Sequence, residues 1–399
     1  MMQTKVCIVG AGCIGLTLAL GLAKSGVEVV VLDSASGEIE VGEEFGLRVS
    51  ALSLASQALF EKLEVWQDII TTRAQSYQKM DVRDQDSFGR ISFTAADFDT
   101  EHLGHIVEND VIRQSLIAQL NNQASATLMF NTRYKEIHQS DNDVFLTLEN
   151  GQPIIAKLLV ACDGANSNIR QTFKMPITFW DYDHHAIVAT IKTQLPHDNV
   201  ARQVFLPDGP LAFLPLAEKN THSIVWSTSP EHAKQLQALS DEEFNKTLMA
   251  HFDGQCGLCE IVSERAAFPL TMRYSKKWLD NRIVLMGDAA HTIHPLAGLG
   301  MNLGLKDAAL MIDLLSEDSQ DEVISVRAQK PEFAPHKVLR EYERARKSDA
   351  QVHIAMMQGL KELFEGQNPV KKLIRGIGLN LVDNLGPLKQ IFGKSALGK

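Results

Sequence analysis

The chain has 399 residues, 45% hydrophobic and 22% charged, with a formal net charge of −10. That length can bury a large core or two domains, and the acidic balance argues against nucleic acid as the main partner. No apolar run reaches about 18 residues, the length that spans a bilayer, so no membrane span is expected. Cys7, Cys13, Cys162, Cys256 and Cys259 are too scattered for a disulfide framework, and the lone CxxC at Cys256 and Cys259 lacks the second pair a zinc site needs. No metal site is expected.

The first element is the segment "KVCIVGAGCIGLTLALGLAKSGVEVVVLD" from Lys5 to Asp33. It reads as strand, glycine turn, helix, turn and strand, a βαβ unit with a right-handed crossover. Gly10 makes the tight turn, Gly12 lets a pyrophosphate approach the backbone, and Gly15 allows close helix–strand packing. Asp33 ends the second strand, where an acid accepts a ribose hydroxyl. This pattern points to a dinucleotide without choosing between FAD and NAD. It also marks the apolar N-terminus as a retained structural unit rather than a signal peptide, so a cytoplasmic protein is expected.

Arg48 to Leu63 reads as helix, and Tyr77 to Phe98 as strands. The segment from His105 to Leu120 is a loop and then an amphipathic helix, with Ile112, Leu116 and Leu120 four apart and Asn109 as its N-cap. Val144 to Arg170 is a hairpin around Asn150 and Gly151, then a buried strand ending at Asp163 and Gly164. Residues 177–277 are mostly strand-like, with a helical insertion near 231–252. A further strand enters "GDAAHTIHPLAGLGMNLG", Gly287 to Gly304, and helices follow over 299–315 and from Lys337 to Phe364. Nucleotide-binding signals recur near residues 10, 163 and 288 with the β-rich stretches between them. That interleaving predicts one nucleotide domain assembled from separated pieces, with a second sheet inserted. Phe213, Pro215 and Trp226 on that sheet are candidate pocket walls, with ordinary sheet core as the alternative.

"CDGANSNIR" supplies Asp163, Gly164, Ser167 and Arg170, and the Gly287 segment supplies Asp288, Pro295, Gly298, Gly300 and Asn302. With the Gly10 motif, in this order, they resemble the class A FAD-dependent aromatic hydroxylases. "LRVSALS" (Leu47–Ser53), "HIVENDVIRQSL" (His105–Leu116) and the Gly287 segment are similar to the ubiquinone-biosynthesis hydroxylases, the UbiH/VisC/UbiF group. The 77–116 stretch resembles the VisC (UbiI) branch, the polyprenylphenol hydroxylases. One residue departs from the family pattern: Leu299 stands where relatives carry Gln.

The resemblance implies an α/β fold with a Rossmann-like FAD-binding domain, an inserted β-sheet substrate domain and C-terminal helices. The FAD domain would comprise residues 1–75, 101–176 and 278–340, the substrate domain 76–100 and 177–277, and the C-terminal helical region 341–399. FAD would be held by Gly10, Gly12, Gly15, Asp33, Arg48, Arg113, Asp163, Gly164, Gly287, Asp288, Pro295, Gly298, Gly300, Met301 and Asn302. Pro295 to Asn302 would run along the isoalloxazine ring, with His294 and Pro295 beside the chemistry. NADPH or NADH would reduce the flavin, O2 would add to form a flavin hydroperoxide, and a polyprenylphenol ring would take its distal oxygen. His291 and His294 lack a third ligand for a metal.

The C-terminal stretch sets Lys371, Lys372, Arg375, Lys389, Lys394 and Lys399 against Asp383, with Leu373, Ile377, Leu381, Leu385 and Leu388 at helical spacing. Such a surface suits anionic headgroups, so residues 370–399 are a candidate peripheral contact with the inner face of the membrane; packing on the flavin domain is the alternative. The competing functions are hydroxylation of a soluble phenol and a non-catalytic flavin-binding role in a quinone-biosynthesis complex.

Overall fold

The computed structural model describes residues 1–292, 299–316 and 333–364, with Gln390, Gly393, Leu397 and Gly398 beyond them. The N-terminal unit is strand β1 (Met2–Val9), helix α1 (Cys13–Lys24) and strand β2 (Val29–Leu32). β2 reads VVVL and is buried along its length, because a parallel strand covered on both faces has no polar side to show. α1 is apolar nearly all round because it packs between the sheet and two further helices.

After β2 the chain runs through β3 (Val49–Leu52), α2 (Leu54–Lys62), α3 (Trp66–Arg73), β4 (Ala74–Tyr77), β5 (Lys79–Asp84), β6 (Arg90–Thr94) and β7 (Gly104–Glu108). The helix expected from Arg48 therefore begins only at Leu54. Val49 to Leu52 pairs antiparallel with β7 instead, and Ser53 ends the strand by accepting a hydrogen bond from Ser56 N as the N-cap of α2. β3, β7 and β4 form a three-stranded sheet in that order.

Helix α4 (Asn109–Leu120) leads back to the first sheet through β8 (Ala126–Met129), β9 (Tyr134–Gln139), β10 (Val144–Leu148) and β11 (Pro153–Ala161). β11 lies parallel to β1, with Met2 opposite Ile154 and Val9 opposite Ala161. The short helix α5 (Asn168–Thr172) follows. Then come β12 (Ile177–Thr193), β13 (Val200–Leu206), β14 (Gly209–Pro215) and β15 (Thr221–Thr228), helices α6 (Pro230–Ala238) and α7 (Asp241–His251), and strands β16 (Cys259–Ile261) and β17 (Ala266–Ser275). The chain re-enters the first sheet through β18 (Leu279–Asp280) and β19 (Ile283–Leu285), makes a 3-10 turn at Gly287–Ala289, and crosses to the second sheet as β20 (His291–Thr292). Helices α8 (Leu299–Leu315) and α9 (His336–Phe364) complete it.

The first sheet runs β18-β19-β11-β1-β2-β8, with β10 and β9 added beside β11. The second runs β20-β17-β12-β15-β14-β13-β5-β6, with β16 beside β12. β1, β2 and β11 all end at one edge, so the loops after Val9, Leu32 and Ala161 converge there, as open parallel sheets require of a ligand crevice.

On the second sheet, side-chain alternation separates two environments. Ile187, Val204, Leu211, Phe213, Ile224 and Trp226 face α6 and α7, where they pack with Phe244, Leu248 and Phe252. Phe213 and Phe252 stack at 3.6 Å between centroids. The intervening residues Ala212, Leu214, Val225 and Ser227 line a cavity on the opposite face. No helix among the described residues is long and apolar enough to cross a membrane.

Candidate active site

The glycine turn shows three separate demands. Gly10 has φ +110°, and a Cβ there would lie 2.2 Å from the Cys162 carbonyl oxygen. A Cβ on Gly15 would lie 2.0 Å from the Gly10 oxygen, so both are compelled by packing. Gly12 differs: it has an ordinary φ of −75°, and no described atom lies within 4 Å of a Cβ placed there. It caps the N-terminus of α1 and opens onto a cleft, where peptide N–H groups and the helix dipole favour an anion. Asp33 braces this turn: its Oδ2 accepts from Ala11 N at 2.6 Å and its Oδ1 from Ala35 N at 2.8 Å. Each oxygen keeps a further lone pair for a ribose hydroxyl.

Two connected clefts run along the strand ends. One, about 820 Å³, is lined by Gly12, Arg48, Arg113, Gly287, Asp288, Gly300 and Met301. The other, also about 820 Å³, is lined by Asp33, Ser34, Arg133, Tyr134, Asp163 and Asn168. They share Gly12, Cys162 and Gly164, which makes them one groove. The Arg113 guanidinium donates to the Ala11 carbonyl at 3.2 Å and to Asp110 at 3.2 Å. Arg48 lies over the Phe268 ring at 5.2 Å.

Asp288 reaches into the groove. Protein crowds it on most sides, which raises its carboxyl above the ordinary range, while His291, Arg48 and Arg273 act in the opposite direction. Its tip is nevertheless exposed to the groove, and that access decides its chemistry: the carboxylate can meet a ligand directly. Asp163 Oδ2 accepts from Ile169 N at 3.3 Å, but its Oδ1 is buried with no hydrogen-bond partner among the described residues. Burial raises the Asp163 carboxyl, and the bonds from Ser167 and Ile169 counter it only in part. Beside it Gly164, at φ +79°, faces open space. An orphaned acceptor, an open helix N-terminus and two arginines along one groove are the partners that the hydroxyls and phosphates of FAD require.

Arg170, in the same motif, has another task. It donates to Ala289 O and Ala165 O, each at 2.7 Å, and so ties the Asp163 turn to the Asp288 turn. Gly287, at φ +60°, gives its N–H to Asp307 Oδ2 at 3.1 Å. Asp307 is 0% exposed and carries no motif signal. It also accepts from His291 Nε2 at 2.6 Å and from Arg346 Nε at 2.6 Å. Burial alone would raise its carboxyl; His291 and Arg346 outweigh that and hold it below the ordinary range. His291 is thus a buried structural partner, packed on Trp278 at 5.0 Å between ring centroids.

Several expected residues are placed elsewhere. The Asn302 side chain accepts from Ser53 N at 2.9 Å and Ser56 Oγ at 2.7 Å, and donates to Ala51 O at 2.8 Å. It ties α8 to the β3–α2 junction and does not line the groove. Phe213 and Trp226 are buried between the second sheet and its helices, and Pro215 shares the Phe213 face by alternation. The pocket face belongs to their neighbours, a shift of one residue that strand periodicity cannot resolve. His294, Pro295 and Gly298, and the side chain of Leu299, lie outside the described residues.

The cavity under the second sheet is about 120 Å³ and is lined by Val49, Ala51, Tyr77, Met80, Ile106, Gln203, Ala212, Leu214, Val225 and Ser227 among others. Val49 lines both this cavity and the Arg48–Asp288 cleft, so one strand, β3, separates the two.

The FAD binding domain family matches residues 3–325. The chain belongs to that family. It is an FAD-dependent monooxygenase of the aromatic hydroxylase type, in the group that includes ubiquinone-biosynthesis hydroxylases. It is 33% identical over 399 residues to the 3-demethoxyubiquinol 3-hydroxylase of Escherichia coli strain K12, covering 99% of this chain and 98% of that protein. It is 34% identical over 394 residues to the ubiquinone hydroxylase UbiL of Rhodospirillum rubrum, covering 98% of this chain and 89% of that protein. These relatives support the group without singling out its VisC branch. The fold matches the p-nitrophenol 4-monooxygenase of Pseudomonas putida DLL-E4 with a TM-score of 0.78 at 20% identity, covering 100% of this chain and 99% of that one. It also matches an FAD complex of Klebsiella pneumoniae HpxO with a TM-score of 0.74 at 17% identity, covering 99% and 98%.

Proposed function

We propose that this monooxygenase hydroxylates the aromatic ring of a polyprenylphenol-type precursor of ubiquinone. The observation that carries the reading is the wall formed by Val49, which lines the cofactor cleft on one side and an apolar cavity on the other. A ring seated in that cavity is one strand away from a flavin in the cleft. The volume of about 120 Å³ suits an aromatic head, and the prenyl tail lies outside it. The names of the full-length relatives support the substrate class.

In this reading the chain's residues bind, orient and exclude water. Gly12, at the start of α1, and Arg113 would hold the pyrophosphate, Asp33 a ribose, and Asp163 and Asp288 the hydroxyls of the linker. Arg48, which lines the same cleft, would contact the flavin. The first peptide groups of α8, at Gly300 and Met301, offer N–H donors and a positive dipole end to negative charge on the flavin's pyrimidine side. FAD, when bound, supplies hydride acceptance from NADPH or NADH and activation of O2. Val49, Ala51, Ile106, Ala212 and Leu214 keep the ring's surroundings dry. The lining also carries the polar residues Tyr77, Arg202, Gln203 and Ser227, of which Tyr77 and Gln203 would meet oxygen substituents on the ring.

Residues 370–399 are proposed to reach anionic headgroups on the cytoplasmic side of the membrane that holds the substrate. The described residues of this segment pack on the chain itself: Gln390 donates to Asp97 O, Gly393 abuts Phe98, Leu397 is buried with Tyr77, Phe98 and Ile106, and Gly398 abuts Ser53 and Ala55, so a headgroup contact falls to its other residues.

The test is quinone profiling by mass spectrometry in a strain lacking the gene. Accumulation of a prenylated intermediate short of one ring hydroxyl is expected, and re-expression should clear it. An unchanged quinone profile would sink the reading. Oxygen-dependent turnover of a soluble phenol by the purified holoenzyme would then favour the catabolic alternative.

A further inference from the structure

The wall between cleft and cavity is delivered by the segment "GEEFGLRV" from Gly42 to Val49. This segment has no regular structure before β3, yet it aims Arg48 into one space and Val49 into both. One arginine holds it. Arg73, the last residue of α3, donates Nε to Glu108 Oε2 at 2.6 Å and Nη2 to Glu108 Oε1 at 2.9 Å. Its Nη1 donates to the carbonyls of Gly42 at 3.1 Å and Glu43 at 3.0 Å, and Nη2 donates also to Glu44 O at 3.1 Å. All five N–H groups of the guanidinium are satisfied in one plane. The Phe45 ring lies against that plane, its centroid 4.6 Å from the guanidinium carbon.

Glu108 completes the clamp. It is the last residue of β7 and is 4% exposed. Besides the bidentate pair with Arg73, it accepts from Gly46 N at 2.6 Å. The next residue, Asn109, donates its backbone N–H to Arg48 O at 2.9 Å, and its side-chain oxygen accepts from Ser50 Oγ at 2.6 Å. The segment is therefore pinned at Gly42 to Glu44, at Gly46 and at Arg48, and the first two pins depend on the Arg73–Glu108 pair. Neither residue lines the cofactor cleft.

We propose that Arg73 and Glu108 are positioning residues that set Arg48 against the flavin, acting through the 42–48 segment. The proposal rests on Arg48 as a cofactor contact, and its test separates the two. A planar fork is needed because one group must reach three carbonyls and a carboxylate at once; an ammonium group has three donors and no fixed plane. Lysine keeps the charge and loses the geometry.

The test measures FAD affinity of the full chain for wild type, Arg48→Ala, Arg73→Lys and the double variant, with Lys62→Ala as a control at an exposed ion pair to Asp313. No substrate enters, so failure of the substrate reading leaves it intact. Arg48→Ala and Arg73→Lys should each weaken FAD about tenfold, and the double variant should match Arg48→Ala, because a device that acts through Arg48 has nothing left to act on. A fully additive loss in the double variant overturns the proposal, as does wild-type affinity in Arg73→Lys. Wild-type affinity in Arg48→Ala overturns the Arg48 contact itself, and with it the route proposed here. Phe213→Ala, which loosens a distant core, distinguishes positioning from general destabilisation: it should lower the melting temperature and leave FAD affinity within about twofold.

Discussion

Replacing Asp307 with alanine should cost more than any other single change near the cofactor. The carboxylate is 0% exposed and holds three donors from three places in the chain: Gly287 N–H, His291 Nε2 and Arg346 Nε. Arg346 has other bonds, to Asp349 at 2.7 Å and Leu303 O at 3.2 Å, so its charge keeps one partner. Removing one member of a buried pair costs about 3–5 kcal/mol, and the remaining link to Asp349 puts the expectation at the lower end, about 3 kcal/mol. Against a total stability of about 5–15 kcal/mol the apo chain should stay folded but melt roughly 4 °C lower. Urea unfolding of the apo and FAD-loaded forms measures it. The loaded form should lose more than the apo form, because Gly287 and His291 bracket the Asp288 turn, and FAD affinity should fall with it. Asp307→Asn, which keeps an acceptor, should cost less. The acid limb gives an independent check. A carboxyl held below its ordinary range contributes stability that is fully present above its unfolded value, near about pH 4, and is lost as pH falls through the folded value. Asp307→Ala should therefore flatten the stability profile below about pH 4. A loss under about 1 kcal/mol in the apo chain would refute the reasoning, since it would mean that the buried charges find other partners.

Gly12→Ala should leave the apo protein as stable as wild type, because φ is −75° and the Cβ meets nothing within 4 Å, yet weaken FAD by about a hundredfold; equal FAD affinity would show that the phosphates do not approach there. Ala212→Phe and Phe213→Ala form a pair of opposites on adjacent residues of β14. The first should fill the cavity and raise the substrate KM at least tenfold with flavin binding unchanged, while the second should cost about 3–5 kcal/mol of stability with KM unchanged. Steady-state kinetics and thermal melts decide it, and interchanged effects would overturn the assignment of faces. Burial, reinforced by His102, lowers His105 to about 4. Between pH 6.5 and 4 the unfolded chain then binds a proton that the folded chain refuses, so stability is lost as the pH is lowered through that window. His105→Gln should shallow that slope in pH-dependent urea titrations, and an unaltered slope would assign the acid sensitivity to other groups.

What the sequence determined by itself is local. The Gly10–Gly15 turn, its flanking strands and Asp33 occupy one continuous stretch, and the contacts that shape the turn, Gly15 on Gly10 and Asp33 on Ala11, lie within it, although β1 also pairs with β11 and Gly10 meets the Cys162 backbone. Long runs such as Leu299–Leu315 and His336–Phe364 were legible for the same reason: helical periodicity needs no distant contact. The start of the helix after Arg48 was not, because Val49–Leu52 becomes a strand only by pairing with Gly104–Glu108.

Tertiary structure decided the rest. Alternation along β14 and β15 separates Phe213 and Trp226 from Ala212 and Val225, but which set meets the cavity depends on where α6 and α7 cover the sheet. Asp307 reads as one polar residue in a helix, and Arg73 as a basic residue in a helix's last turn. Their importance comes from partners far along the chain, at Gly287, His291 and Arg346 for one and at Gly42–Glu44 and Glu108 for the other. A motif in sequence marks where backbone must come close to a ligand. The buried charges that hold that backbone in place leave no such mark, because a charge becomes structural only when folding takes it out of water and brings its partner to it.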